Sequence, residues 1–344
     1  MSEFDLIRRH FTRAMPNALL GVGDDCALLQ VSDGKVLAVS TDMLVSGTHF
    51  FADADPYLLG HKTLAVNLSD MAAMGAVPRW ATLALSLPYG QSISYSLPHP
   101  NPNPLPEGEG TNDSLREIKI DDAWLEQFSA GFFALARQYN VDLVGGDTTR
   151  GPLNLCVTIM GEVNAQQALR RDGAKAGDEI WVSGKLGDAA LALAHLQGKA
   201  QLSDADFAAC ASALHQPQPR VALGLALHGI AHSAIDISDG LLADLGHILD
   251  ASGMGAQLEF ADMPVSAALK GKGALVQHCA LAGGDDYELC FTAAAHHHDE
   301  LLCLARELNL PLTRIGKVVA GTGCVVHDAH GATIQLESGG YEHF

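Results

Sequence analysis

The chain is poor in the features that announce most functions. Only 21 of its 344 residues are Lys or Arg against 40 Asp or Glu, giving a net charge of −19 and an isoelectric point near 5.1. Such a surface repels nucleic acid and anionic membrane, so neither is expected as a partner. It also requires that any bound polyphosphate bring its own cations. No run of about 18 apolar residues occurs, and the opening MSEFDLIRRHF has no apolar leader segment, so a cytoplasmic protein is expected. The seven cysteines (Cys26, Cys156, Cys210, Cys279, Cys290, Cys303, Cys324) are scattered and form no C-x-x-C. That excludes a disulfide framework and a zinc ribbon and predicts reduced thiols. A phosphate-binding P-loop is absent, because Gly184-Lys185 is followed by Leu186. Each G-x-G lacks the third glycine of a dinucleotide fingerprint. His296–His298 reads as a solvated helix start, and His228 and His232, without a third ligand nearby, as structural.

What is present is enough apolar residue, 48%, for two domains with sizeable cores. Short β-branched runs predict strands at Val36–Ser40, Trp80–Leu87, Leu143–Val144, Leu153–Val163, Ile180–Ser183, Leu289–Thr292 and Arg314–Val319. Helices are predicted over Pro56–Met74, with Asp55 as cap and Pro56 first, and over Trp124–Tyr139, Asp188–Leu196, Pro219–Gly229 and Gly240–Ala251. This mixture argues for α/β or α+β architecture in both halves. The polar stretch after Val163 sets the expected boundary, giving domains 1–164 and 165–344. Residues 88–121, rich in proline and polar side chains, read as a disordered surface insert.

Six acidic clusters punctuate this pattern. Asp24-Asp25 follows two glycines, Thr41-Asp42 closes a strand, and Asn67 and Asp70 share a helix face by their i,i+3 spacing. Gly145-Gly146-Asp147 ends another strand, Asp236-Ile-Ser-Asp239-Gly240 opens a helix, and Gly283-Gly284-Asp285-Asp286 precedes a strand. Any one of them is explained by a turn or a helix cap, Ser238 and Asp239 included. Two charges about 4 Å apart still repel by about 4 kcal/mol at an effective dielectric of about 20. Carboxylates beside Ser or Thr hydroxyls suit Mg²⁺, and glycine lets backbone N–H groups approach phosphate.

In this order, GVGDDCA, STDMLVSGTHF, AVNLSDMAAMGA, LVGGDTTRG, AIDISDGLLADLGHI, GGDDYELCF and GGYEHF resemble the thiamine-monophosphate kinase family. That family sits in a superfamily with aminoimidazole ribonucleotide synthetase and selenophosphate synthetase. The resemblance spans nearly the whole chain, with two departures: the insert at 88–121, and Asp285 where the family usually has Glu. It implies a two-domain fold, each domain a mixed sheet covered by helices, and a homodimer formed through the N-terminal domain. It implies transfer of the ATP γ-phosphate to thiamine monophosphate, with several Mg²⁺ ions and direct in-line attack. Carried over, Asp25, Ser40, Thr41, Asp42, Asp70, Asp147, Asp236 and Asp239 would hold Mg²⁺. Gly146, Asp147, Arg171 and Ser238 would meet ATP, with Asp42, Asp147 and Arg171 closest to the chemistry, and His49, Asp285 and Tyr341 would meet the acceptor. Selenophosphate synthetase fits poorly, since no cysteine precedes Cys26. Aminoimidazole ribonucleotide synthetase and a non-catalytic Mg²⁺–polyphosphate binding protein stay open as alternatives.

Overall fold

The protein is described by a computed structural model that covers residues 3–90, 92–95, 116–334 and 340. In chain order its elements are α1 (Glu3–Leu6, continued by a π turn Ile7–Phe11), β1 (Val36–Val45), α2 (Pro56–Ala73), β2 (Val77–Leu87), β3 (Ser92–Tyr95), β4 (Arg116–Lys119) and α3 (Asp122–Gln138). Strands β5 (Asp142–Arg150), β6 (Asn154–Val163) and β7 (Glu179–Ser183) follow, then α4 (Asp188–Leu196), α5 (Asp204–His215), α6 (Val221–Ala226), β8 (Ala231–Asp236) and α7 (Leu241–Ser252). The chain continues through β9 (Gly255–Glu259), α8 (Ala274–Ala282), β10 (Leu289–Ala293), α9 (His298–Glu307), β11 (Leu312–Val319) and β12 (Gly323–His327).

Two mixed sheets organise these elements, one in each half. The first runs β1-β6-β2-β5, with only the β2–β5 pair parallel, and the second runs β12-β9-β11-β7-β10-β8, with only β12–β9 parallel. The expected α/β class with a mixed sheet in each domain is what forms. An apolar cluster joins the halves, running from Leu64, Leu68 and Ile159 to Trp181, Ala234 and Phe291.

Helix α2 is the keel of the molecule. Asp55 caps it by accepting from the Leu58 N–H at 3.0 Å, and Pro56 supplies a first turn that needs no donor. Most of its side chains are buried on every side, as expected of an internal helix. It meets α3 through two glycines: a Cβ on Gly60 would stand 2.0 Å from the Phe128 carbonyl oxygen, and one on Gly131 1.9 Å from that of Tyr57. It also packs on β1, β6, α6 and β8, so a single helix touches both domains.

Among the described residues, the first sheet is covered by helices on one face only. Along β1, Leu37, Val39 and Met43 point to the other face and are exposed, the latter two by 57% and 56%. β1 is an edge strand as well.

Part of the insert is ordered, against expectation. Its two ends pair as antiparallel strands β3 and β4, from Ser92↔Lys119 to Tyr95↔Arg116. Ile120 is buried, and the Tyr89 hydroxyl donates to Asp122 at 2.9 Å. Apolar Tyr89, Ile118 and Ile120 anchor the stem to the core, which the proline count of the whole segment concealed. Residues 96–115 lie outside the described residues. Replacing 96–115 by a short Gly/Ser turn, with the stem retained, should leave turnover within about twofold and the melting temperature nearly unchanged, since loop-closure entropy varies slowly with length. A large loss in either measurement would show that the segment contributes to the body or the site.

Candidate functional site

The site begins with the alternation of β1. Ser40 and Asp42 face α2, where the Ser40 hydroxyl donates to Asp70 Oδ2 at 2.6 Å and the Asp42 N–H donates to Asn67 Oδ1 at 3.2 Å. Asn67 and Asp70 thus address the same strand from one helix face, as their spacing indicates. Thr41 points the opposite way and shares a 2.8 Å hydrogen bond with the Thr158 hydroxyl.

Carboxylates crowd behind this contact. Burial, and then the charge of Asp70, push the Asp42 carboxyl up to about 7. Asp236, at the end of β8, is pushed up to about 8 by burial and then by Asp70. Asp70 itself is raised by burial, with the Ser40 hydroxyl and the Arg171 charge opposing. Asp239 adds to the field on Asp42. These groups resist ionising together, which is the electrostatic state that a bound cation relieves.

Asp239 and Ser238 lie on a loop held from below. Asp244 Oδ2, buried in the first turn of α7, accepts the N–H groups of Ser238, Asp239 and Gly240 at 3.0, 3.0 and 3.1 Å. The cap comes from inside the helix; Ser238 and Asp239 do not act as N-cap side chains, since Gly240 occupies that position. The loop is also laced to a second one: Ile237 N–H donates to Glu288 O, Tyr287 N–H to Ile237 O, and Asp285 N–H to Ser238 O, all at 2.8 Å. Asp285 and Tyr287 adopt left-handed φ values of 68° and 50°, which non-glycine residues rarely take. The Asp285 carboxylate accepts from Lys62 Nζ at 3.0 Å on one oxygen and from the Tyr287 hydroxyl at 3.1 Å on the other.

Two adjoining cavities open here. One, of about 510 Å³, is lined by Asp42, Val45, Val66, Ser238, Asp239 and Tyr287 among others. The other, of about 360 Å³, is more apolar and is lined by Phe50, Phe51, Leu58, Lys62, Leu214 and His215 among others. Thr48, His49, Leu193 and Asp285 belong to both walls. The His49 ring is fixed, its Nδ1 accepting from the Val45 N–H at 3.0 Å.

The structure therefore brings Asp42, His49, Ser238, Asp239 and Asp285 to one cavity, with Ser40, Asp70 and Asp236 behind it. Asp25, Gly146 and Asp147 are exposed and lie outside both walls. Asp147 is on β5, opposite Ala84, and β5 is the far edge of the sheet from β1. Three strand spacings, about 14 Å, separate the two edges. Arg171 is exposed within electrostatic reach of Asp70. Tyr341 lies outside the described residues. Among the described residues no three His, Cys, Asp or Glu side chains gather closely enough to hold a metal ion unaided.

Sequence reasoning missed Lys62, Asp244 and Tyr287. Asp244 carried a local signal, an acid in the first turn of a helix that follows a Ser-Asp-Gly loop. Lys62 carried none, because its partner lies 223 residues away. His228 and His232 are structural, bonded to the Gly75 carbonyl at 2.9 Å and to Asp178 at 2.8 Å.

The family of AIR synthase related protein, N-terminal domain, matches residues 23–163, and that of AIR synthase related protein, C-terminal domain, matches residues 175–329. Thiamine-monophosphate kinase of Escherichia coli (strain K12) is 44% identical over 99% of this chain and 98% of its own. The crystal structure of thiamine-monophosphate kinase from Stenotrophomonas maltophilia K279a is 48% identical, with a TM-score of 0.79 over 97% of this chain and 98% of that one. AaThiL complexed with AMPPCP and TMP is 27% identical, with a TM-score of 0.71 over 99% and 96% of the two chains.

Proposed function

Because this chain belongs to the thiamine-monophosphate kinase family, among the AIR synthase related proteins, and is a kinase, we propose that it phosphorylates thiamine monophosphate with ATP, yielding thiamine diphosphate and ADP. The observation that carries this reading is the juxtaposition of the crowded carboxylates Asp42, Asp70, Asp236 and Asp239 with two adjoining cavities that share Asp285 and His49.

The acceptor is a phosphate monoester with a second pKa of about 6, so near neutral pH it is already an ionised nucleophile. No general base is required. The remaining work is to align two anions in line and to offset their charge.

The donor set fits Mg²⁺. This ion is commonly held by one or two carboxylates together with substrate phosphates, which suits a set that forms no complete protein cage among the described residues. Asp25, Ser40, Asp42, Asp70, Asp147, Asp236 and Asp239 would hold Mg²⁺, and Thr41 would take part through its main chain, its hydroxyl being turned to Thr158. Bound Mg²⁺ would neutralise charge on the transferred phosphoryl group. Asp244 fixes the loop from which Ser238 would meet ATP, together with Gly146 and Arg171. His49, Asp285 and Tyr341 would receive the acceptor.

The exposed apolar face of β1 supports a homodimer through the N-terminal sheet. In it Asp147, remote from Asp42 in one chain, would complete the partner copy's site. Among the described residues no helix is long and apolar enough to cross a membrane. A cytoplasmic location belongs to the same reading.

The deciding experiment measures ADP release with Mg²⁺ and ATP, with and without thiamine monophosphate, and identifies the product by mass. ADP and thiamine diphosphate should form in equal amounts, and only when the acceptor is present. Acceptor-independent hydrolysis, or no turnover, would overturn the assignment.

A further inference from the structure

Lys62 is an unusual residue to find inside this site. Only 4% of it is exposed, it stands on the keel helix α2 of the N-terminal domain, and its ammonium reaches across to Asp285 in the C-terminal domain. A buried ammonium is tolerated when paired, and here the pair forms in the wall of the apolar cavity. The partner is more open, its side chain 28% exposed, and it lines both cavities.

Two further features fix the partner. Its backbone is left-handed and is held there by the Asp285 N–H bond to Ser238 O. The Tyr287 hydroxyl takes the second carboxylate oxygen, and Tyr287 is itself left-handed, bonded to Ile237 O. Strained backbone of this kind persists where its surroundings over-determine it, and it gathers at ligand sites. Each Asp285 oxygen thus has one fixed donor and keeps further lone-pair capacity, since a carboxylate offers about four acceptor sites. With the Lys62 charge beside it the pair is electrically balanced. An acceptor entering this cavity meets, beside the other acidic groups of the wall (Asp53 and Asp55), an oriented pair of oxygens whose own charge is already balanced.

From this we propose that Lys62 is a positioning residue of the acceptor site: with Tyr287 it holds the Asp285 carboxylate in the orientation that receives hydrogen-bond donors of the acceptor's ring system. Specificity then comes from the direction of the Asp285 lone pairs. The carboxylate does not serve as an unpaired anion awaiting a cation. This inference rests on the reading of the apolar cavity as the acceptor's. Without Lys62 the carboxylate would lose one of its two fixed donors and be free to turn.

The test is a double-mutant cycle with Lys62→Met, Asp285→Asn and the pair combined, reading the KM of thiamine monophosphate, the KM of ATP and the melting temperature for each. Lys62→Met should raise the acceptor KM by about tenfold or more and leave the ATP KM within about twofold. In the Asp285→Asn background the further loss of Lys62 should add almost nothing, because its effect passes through the carboxylate. Equal effects on both substrates would reduce Lys62 to a structural tie and overturn the proposal, and so would a full additional loss in the Asp285→Asn background. If Lys62→Met does not fold, the comparison of Asp285→Asn with the double variant, which buries no unpaired charge, decides alone. Wild-type protein that releases no ADP in response to thiamine monophosphate would instead refute the kinase reading, an outcome distinct from active wild type with unselective variants.

Discussion

Asp42→Asn should lose at least about a thousandfold in kcat, about 4 kcal/mol of transition-state stabilisation, while melting at or above the wild-type temperature. The two halves of that expectation have one cause. Asp42 is ringed by Asp70, Asp236 and Asp239, so its charge opposes folding, and under the proposed function it serves through a bound cation. An amide keeps the shape and the Asn67 contact, which uses the Asp42 main chain, and relieves repulsion. Sites tuned for chemistry at the expense of stability behave this way. Asp147→Asn should be equally inactive, and the positions of the two residues on opposite edges of the first sheet add a sharper test. If each site takes Asp42 from one copy and Asp147 from the other, co-expressing the two dead variants should restore about a quarter of the wild-type activity, through mixed dimers with one intact site. Near-wild-type rates for either single variant at saturating Mg²⁺ would remove that residue from the site. A mixture as dead as its parts would place both carboxylates in the same copy.

In metal-free buffer the protein should become less stable as pH rises from about 5 to about 8, with the melting temperature falling by several degrees. The sign follows from the raised carboxyls. Asp42 and Asp236 titrate near 3.8 when unfolded and at about 7 and about 8 when folded, from burial and mutual repulsion. Between those limits the folded chain holds more protons than the unfolded one, and stability drops with pH in that window. The stabilising contribution is complete below about pH 4 and gone above about pH 8. Each pKa unit is worth about 1.4 kcal/mol as an upper bound, and a domain of this size moves by about 2–4 °C per kcal/mol. Adding Mg²⁺ should reverse the trend, raising the melting temperature more at pH 8 than at pH 5, and Asp42→Asn should flatten the metal-free slope. A melting temperature that is level or rises across this range, with Mg²⁺ acting equally at both ends, would contradict the crowding of these groups.

How far the residues alone foretold this molecule depends on where each signal resides. Elements with local punctuation were legible: α2 between its Asp-Pro start and Gly75, α4 over the expected residues, and β6 within one residue. Strand β8 was not, because Ser233 is buried there against the Thr292 hydroxyl at 2.7 Å, and a strand that hides hydroxyls shows no apolar alternation. The start of α9 at His298 was legible in the three histidines before Asp299, but helices α5 and α8 were missed; α5 is rich in alanine and has little buried surface to mark a face. Helix α6 is shorter than its apolar run suggests: the backbone of Arg220 leaves the helical region before it, and Leu227 closes it by donating to the Leu223 carbonyl. In the site, the acidic clusters stood out by composition, but the support beneath them did not. The Lys62–Asp285 pair and the lacing of the 236–239 loop to the 284–288 loop arise only when distant segments meet.

That lacing bears on how such a protein can change its substrate. Three main-chain hydrogen bonds weld the 236–239 loop to the 284–288 loop, and main-chain bonds do not depend on which side chains are present. Under the proposed function, remodelling either loop to admit a new acceptor would shift the other and disturb nucleotide binding too. Evolution toward a different acceptor is thereby steered away from the loops and onto side chains that reach the cavity from α2 and α5, such as Leu58, Lys62 and His215. A divergent lineage on this scaffold should carry its novelty in that wall and keep the welded pair of loops unaltered.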